Sequence, residues 1–305
     1  MIKTIRKFLF LTFFSFSSAS FALNAQEVIE IEPLFEYPSA PQELPTLEAK
    51  SDYLVEHFWD QMDFKSKSTV DQNALNDAFR VFSVPLRWSS RDKAVVATDK
   101  LIQTISKNPV LLLQFTKAAE ENIYGPRAEV WVDEVYLKFL NAIVKNKKVP
   151  AQRKKKYEEQ LKVLSNTIIG NKAPEFSFEN VNGDKSNYFP MATCTIIIFG
   201  NPKDTDWRLT RLRMESNAAL TEAVNKGKVN ILFIVPDKME GWKNEVVNYS
   251  SKWTVGCGEE LNKIYDLRAM PSVYTIGTDG TILLKNTTLG TAISKVSELT
   301  NNPKN

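Results

Sequence analysis

The spacing of apolar positions changes along the chain and predicts an all-helical half followed by a half in which strands and helices alternate. Between residues 51 and 165, apolar side chains recur three and four positions apart, as Tyr53, Leu54, Phe58 and Met62 do. This period is typical of amphipathic helices that pack on a common core. The other helices predicted in this half cover residues 73–84, 92–106, 109–122, 127–145 and 151–165.

From residue 170 onward, short apolar runs alternate with helical patterns. Cys194–Phe199 and Val229–Val235 are nearly continuous apolar runs, which are typical of strands buried on both faces of a sheet. A long helix predicted at 205–225 separates them, so we expect the two strands to be parallel, with a right-handed connection. The side chains expected on the inner side of that helix are Leu209, Leu212, Leu220 and Val224.

The rest of the second half predicts a helix, a hairpin and a final helix. The helix is predicted near 240–251, and the hairpin strands at 272–277 and 281–285 flank the turn Thr278-Asp279-Gly280. A last helix is predicted near 291–300. The fold class expected is therefore an α/β domain with a central mixed sheet flanked by helices, preceded by an all-α domain.

The N-terminus has the pattern of a Sec-type signal peptide. Three basic side chains, Lys3, Arg6 and Lys7, precede an apolar run at 8–14 and a tail of small residues, with cleavage expected before Gln26. The domains predicted are a signal peptide at 1–25, an extended proline-containing leader at 26–48, a helical domain at 49–168 and an α/β domain at 169–305. We expect a periplasmic or otherwise extracytoplasmic protein, with no membrane span after removal of the signal.

The formal net charge of +3 comes from the signal peptide, which contains three basic residues and no acidic one. Because the mature chain is formally neutral, its charge gives no support for a nucleic-acid partner. One basic cluster, formed by Lys147, Lys148 and the four residues 153–156, is followed at once by Glu158 and Glu159. This cluster is interpreted as the solvated start of a helix.

Cys194 and Cys257 are the only two cysteines, and the chain contains no CxxC motif. Cys194 opens an apolar strand, which favours a buried, inert thiol, although pairing of the two cysteines stays open. Cys257 lies between Gly256 and Gly258, in a segment expected to be an exposed loop. It is therefore a candidate free thiol, and we expect Glu259 and Glu260 to raise its pKa.

Four motifs in the second half recur together in a known family. They are Gly170-x-x-Ala173-Pro174-x-Phe176, the strand at 196–199, the segment Tyr265-Asp266-Leu267-Arg268-Ala269-Met270-Pro271-Ser272-Val273-Tyr274, and Asp279-Gly280-Thr281-Ile282-Leu283. On these motifs, residues 170–300 resemble a thioredoxin-like domain of the secreted thiol-disulfide oxidoreductase and peroxiredoxin-related type. The helical half resembles a domain of unknown function that precedes such modules in secreted proteins of anaerobic gut bacteria.

The resemblance implies a cis peptide bond before Pro271, beside a pair of reactive cysteines at the junction of a strand and a helix. Aligned on Asn201-Pro202, the two cysteine positions fall on Asp204 and Trp207. Thiol-disulfide exchange needs a thiolate at a helix N-terminus and a second thiol one turn later, which these residues cannot supply. We expect Asp204 to cap the helix, while Trp207 either fills the vacated space or faces a partner.

The sequence therefore predicts a redox-inactive thioredoxin-like protein that acts as a binding or structural module of the bacterial envelope. The candidate groove consists of Asp204, Trp207, Met270 and Pro271, and its expected partner is an extended peptide or another envelope protein. The alternative is a thiol-disulfide oxidoreductase-type enzyme that acts through Cys257 alone. No cofactor is predicted.

A different activity that uses Asp204, Asp206 and Arg208 also stays open. Two carboxylates without a histidine or further ligands are weak evidence for a metal site, so no metal is predicted.

Overall fold

A computed structural model describes residues 32–65, 69–190 and 193–301 of the chain. The predicted signal peptide at 1–25 and the first part of the predicted leader lie outside the described residues.

The helical half contains six helices within the described residues. Side-chain oxygens of Thr46, Asp71 and Asn108 accept hydrogen bonds from backbone N–H groups in the first turns of the first, second and fourth helices, which fixes where those helices begin. The six helices are α1 (Leu47–His57), α2 (Gln72–Leu86), α3 (Arg91–Ile105), α4 (Pro109–Ile123), α5 (Asp133–Lys145) and α6 (Ala151–Asn166).

Part of the predicted leader belongs to the core of this half. The rings of Phe35 and Tyr37 pack on the ring of Phe58, with centroids 5.7 and 5.2 Å away. Aromatic contacts of this kind bury large apolar surfaces, so this part of the leader is packed on the helices.

The second half is built on a mixed sheet of seven strands within the described residues, with four helices, α7 to α10. The strand order is β2-β1-β5-β4-β3-β6-β7, in which β3, β4 and β5 are parallel and the other pairs are antiparallel. The strands are β1 (Phe176–Asn180), β2 (Lys185–Tyr188), β3 (Cys194–Phe199), β4 (Val229–Val235), β5 (Thr254–Gly258), β6 (Ser272–Ile276) and β7 (Ile282–Leu284). The helices are α7 (Thr205–Glu215), α8 (Ala218–Asn225), α9 (Trp242–Glu245) and α10 (Leu289–Asn301). The predicted fold class is confirmed, as are the parallel pairing of β3 with β4 and the hairpin of β6 with β7.

The predicted helix at 205–225 is in fact two helices. The side chain of Asn217 accepts a hydrogen bond from the N–H of Leu220, at 2.9 Å, and so starts α8 as a new helix. A polar residue that can bond the backbone in this way favours a helix start over a helix interior.

The face of α7 that packs on the sheet also differs from the prediction. Leu209 and Leu212 are 42% and 49% exposed, whereas Trp207, Thr210 and Met214 are buried. These three buried residues are three and four positions apart and define one helical stripe. The prediction that the two leucines lie on the inner side was wrong, because it followed the aliphatic residues and left out the tryptophan.

Strand β5 was not predicted, and it occupies a central place in the sheet. It pairs in parallel with β4 and in antiparallel with β1, and it includes residues 256–258, which were predicted as a loop. Only the short α9 forms in that predicted helix. Two glycines weaken the strand pattern, yet Gly256 is needed there, since an added Cβ would lie 2.2 Å from Cδ2 of Phe178.

Candidate functional site

The candidate site lies where β3 ends and α7 begins, at the carboxyl edge of the parallel strands. The N–H of Gly200 donates to the carbonyl of Ile234, at 3.2 Å, and so extends the β3–β4 pairing by one residue. A turn follows, in which the N–H of Asp204 donates to the carbonyl of Asn201, at 3.0 Å. Thioredoxin-like proteins carry their dithiol at this junction, as the resemblance implied.

Asp204 stands at the position that precedes α7, but its side chain does not cap the helix. Its backbone is extended and its side chain makes no capping hydrogen bond. The expected capping role is therefore wrong. Because Asp204 is exposed, water can solvate its carboxylate directly, and the residue presents a negative charge at the surface beside Asp206.

Trp207 lies in the core. It is 1% exposed, its ring packs edge-on against Phe233 with centroids 5.0 Å apart, and its indole N–H donates to the hydroxyl of Tyr249. A Cβ at Gly200 would lie 2.4 Å from Cε3 of the indole and 3.3 Å from Cβ of Pro271. The indole thus fills the space between the junction and Pro271, which leaves Trp207 no surface with which to meet a partner.

The Met270–Pro271 peptide bond is cis, as the resemblance implied. Met270 is 49% exposed, and no hydrogen bond reaches its backbone N–H or carbonyl from the described residues. The pairing of β6 with β3 begins only at Ser272, opposite Phe199. The loop before Pro271 therefore offers an apolar side chain and two unpaired backbone groups to whatever binds there.

Cys257 does not lie in an exposed loop, which corrects the prediction. It is the fourth residue of β5, is 8% exposed, and its thiol donates to the carbonyl of Asp237 at 3.2 Å. Burial raises the pKa of the Cys257 thiol, and the nearby charges of Glu179 and Asp237 raise it further, against a lowering by the N–H of Met239. The direction of the pKa prediction is confirmed, but the charges responsible are not those of Glu259 and Glu260.

Neither cysteine lies at the junction of β3 and α7. Cys257 lies two strands from β3, about 10 Å across the sheet. Cys194 lies at the opposite end of β3, and burial raises the pKa of its thiol to about 11. Both thiols are free and buried, so the prediction of a buried Cys194 is confirmed.

Four charged side chains join the helical half to the loop before Pro271, and we call them the Arg268 cluster: Asp133, Asp266, Arg268 and Lys285. The guanidinium of Arg268 donates to the Asp266 carboxylate, at 2.8 and 2.5 Å, and to Oδ1 of Asp133, at 2.7 Å. Nζ of Lys285 lies 2.5 Å from Oδ2 of Asp133 and 3.2 Å from Oδ2 of Asp266. Asp133 belongs to α5 and the other three to the sheet half, so the cluster spans both halves.

The Arg268 cluster is buried and electrically balanced. The exposed fractions of its side chains are 18% for Asp133, 1% for Asp266, 8% for Arg268 and 6% for Lys285. Burial by itself would raise the pKa of Asp266, but hydrogen bonds and charges from Arg268 and Lys285 outweigh it and lower that pKa. The Asp266 carboxylate is therefore ionised at neutral pH, and its contribution to stability is lost as the pH falls through this lowered pKa.

Aromatic side chains of the helical half complete the site around Arg268. Its guanidinium lies 4.2 Å from the ring centroid of Tyr124 and 4.9 Å from that of Trp131, and it donates to the carbonyl of Tyr124 at 3.0 Å. Burial, with the charge of Asp266, raises the pKa of Tyr124 to about 12. The sequence analysis missed this cluster, because 135 positions separate Asp133 from Arg268 and no local pattern connects them.

The fold and the cis-proline loop define a thioredoxin-like protein. A thioredoxin-like protein from Bacteroides caccae ATCC 43185 superposes with a TM-score of 0.74 over 88% of this chain and 99% of that chain, at 20% identity. A conserved protein of unknown function from Bacteroides fragilis is 27% identical over 42% of this chain and 98% of that chain, with a TM-score of 0.40. The thioredoxin domain of a thiol-disulfide oxidoreductase from Bacteroides vulgatus is 15% identical over 43% of this chain and 97% of that chain, with a TM-score of 0.38.

The chain belongs to the family described as Domain of unknown function (DUF5106), which matches residues 15–167. The predicted resemblance of the helical half to a domain of unknown function is thereby confirmed. A comparison with curated proteins gave no match.

The position of Trp207 leads to a stability prediction. Trp207→Ala should lower the free energy of unfolding by about 3–5 kcal/mol, since it removes a fully buried indole and leaves a cavity. Urea denaturation followed by circular dichroism measures the change. Leu209→Ala on the same helix, where the side chain is 42% exposed, is the control and should cost no more than about 0.5 kcal/mol. Equal, small losses for both variants would contradict a core role for Trp207.

Proposed function

We propose that this protein is a redox-inactive thioredoxin-like module of the bacterial envelope that binds a partner at the loop around Met270 and Pro271. The observation that carries the proposal is the state of the former dithiol junction. Its two cysteine positions hold an exposed Asp204 and a buried Trp207, while the cis bond before Pro271 is kept.

The chemistry of thiol exchange supports the redox-inactive part of the proposal. The reaction needs an accessible thiolate, and such thiolates have lowered pKa values. Cys194 and Cys257 are both buried, with raised pKa values. Neither lies at the helix N-terminus of the junction, where the helix dipole would stabilise the anion.

The loop before Pro271 supports the binding part. An extended peptide can pair its backbone with the unpaired groups of Met270 while an apolar side chain of the peptide packs on the exposed Met270 side chain. The Arg268 cluster holds this loop from one side, because Arg268 is two residues before Met270. A loop that is already ordered loses less conformational entropy when it binds.

An extracytoplasmic location fits the signal peptide predicted at 1–25. No helix among residues 32–65, 69–190 and 193–301 is long and apolar enough to cross a membrane. The partner that we propose is an extended peptide or another envelope protein.

An insulin-reduction assay with dithiothreitol tests the redox part. We expect no turnover above the background of dithiothreitol alone, for the protein and for Cys257→Ser alike, because neither thiol is accessible as a thiolate. Turnover that disappears in the Cys257→Ser variant would instead identify an enzyme that acts through that single cysteine.

Site-specific photo-crosslinking tests the binding part. A benzophenone amino acid is placed at Met270, or at Val247 as a control, since Val247 is 73% exposed and is distant in sequence from the loop. In envelope preparations we expect a discrete adduct from position 270 and none from position 247. The absence of adducts at both positions, or the same adducts at both, would contradict a partner surface at the loop.

A further inference from the structure

A second surface, on the helical half, has the charge and shape of a ligand site. A cleft of about 650 Å³ lies between α4 and α6, beside the start of α2. This volume falls in the range of small-molecule sites. Its basic lining residues are Lys117, Arg153, Lys155 and Lys156, and Glu159 is the acidic one.

Two of the three glutamine side chains that line the cleft are already hydrogen-bonded. Gln114 exchanges hydrogen bonds with the backbone of Val70, and Gln72 donates to Asn76. Tyr157 is buried, with 3% exposure, and its ring lies 4.7 Å from Nζ of Lys156. The cationic side chains are therefore the main groups that the cleft offers to a ligand.

The four basic residues are not equivalent. Lys156 is paired with Glu120 at 2.6 Å, and Lys117 lies 3.8 Å from Glu121. The side chains of Arg153 and Lys155 have no hydrogen bond or ion pair with any described residue, although both line the cleft. Two unpaired cations thus line the same cleft as two partly neutralised ones, together with one carboxylate, that of Glu159.

We propose that this cleft binds a small multivalent anion of the phosphate class. The planar guanidinium of Arg153 can bond two oxygens of such a group. Lys155, two residues further along α6, and Lys117, on α4, line the same cleft and supply further positive charge. Because these side chains are exposed, binding is weak and falls as the ionic strength rises.

The cleft contains only part of the basic cluster at 147–156. The sequence alone favoured a solvated helix start. The structure separates the cluster into two parts, because Arg153, Lys155 and Lys156 line the cleft whereas Lys147 and Lys148 do not. That separation provides a control pair from the same stretch of chain.

Titration of the purified protein with inorganic pyrophosphate, followed by isothermal calorimetry at low salt, tests the proposal. We expect saturable binding that weakens at least about tenfold when Arg153→Gln and Lys155→Gln are combined, as removal of a charge-assisted contact predicts. The control combines Lys147→Gln with Lys148→Gln, which removes the same net charge and should leave the affinity within about twofold.

Two results would overturn the proposal. One is the absence of saturable binding, and the other is an equal loss in both double variants, which would show a general electrostatic field without a site. Because all four positions are exposed, circular dichroism should show unchanged folding in each variant.

A second experiment, with lipid vesicles, distinguishes a lipid headgroup from a free phosphate compound as the source of the phosphate group. Vesicles of anionic phospholipid are compared with zwitterionic ones in a sedimentation assay. Retention on anionic vesicles that is lost in the Arg153→Gln, Lys155→Gln variant supports a lipid headgroup as the ligand. Pyrophosphate binding without retention on vesicles supports a free phosphate compound as the ligand.

Discussion

The buried cluster of Asp133, Asp266, Arg268 and Lys285 is the interaction on which the arrangement of the two halves depends. Four ionised groups taken out of water are costly, and such a set is tolerated only when charges balance and hydrogen bonds are made. Here two carboxylates face two cations, and Arg268 lies between the rings of Tyr124 and Trp131. Any displacement of the helical half would leave charges buried without partners, so the cluster favours one relative placement.

The constraint acts directly beside the cis-proline loop of the thioredoxin-like fold. Arg268 precedes the cis bond of Pro271 by three residues, so the helical half supports that loop directly. On the other side of Pro271, the indole of Trp207 fills the junction that would hold a dithiol, and it does so only because Gly200 has no side chain. The segment around Pro271 is thus held by packing on one side and by ion pairs on the other.

The sequence predicted what local patterns determine. Continuous apolar runs identified β3 and β4, turn residues identified the hairpin of β6 and β7, and a motif identified the cis Pro271 through a family resemblance. The sequence did not predict β5, because Gly256 and Gly258 interrupt the apolar pattern of a strand. Packing of β1 against Gly256, and of the turn after β5 against Gly258, leaves no room for a side chain at either position. Nor did the sequence predict the Arg268 cluster, since that depends on a fold that brings α5 to a loop far along the chain. The burial of Trp207 could not be predicted from the sequence either, because it depends on Gly200 and Phe233, which the fold places beside the indole.

A double-mutant cycle between Asp133→Ala and Arg268→Met measures how strongly the Arg268 cluster joins the two halves. Free energies of unfolding are measured by urea denaturation for both single variants and for the double variant. Each single variant should lose about 3–5 kcal/mol, because it leaves a buried charge without its partner. The two losses should not add, and a coupling of about 1.5–3 kcal/mol is predicted for a direct buried pair. Additive losses, with a coupling below about 0.5 kcal/mol, would contradict the claim that this pair fastens the helical half to the cis-proline loop.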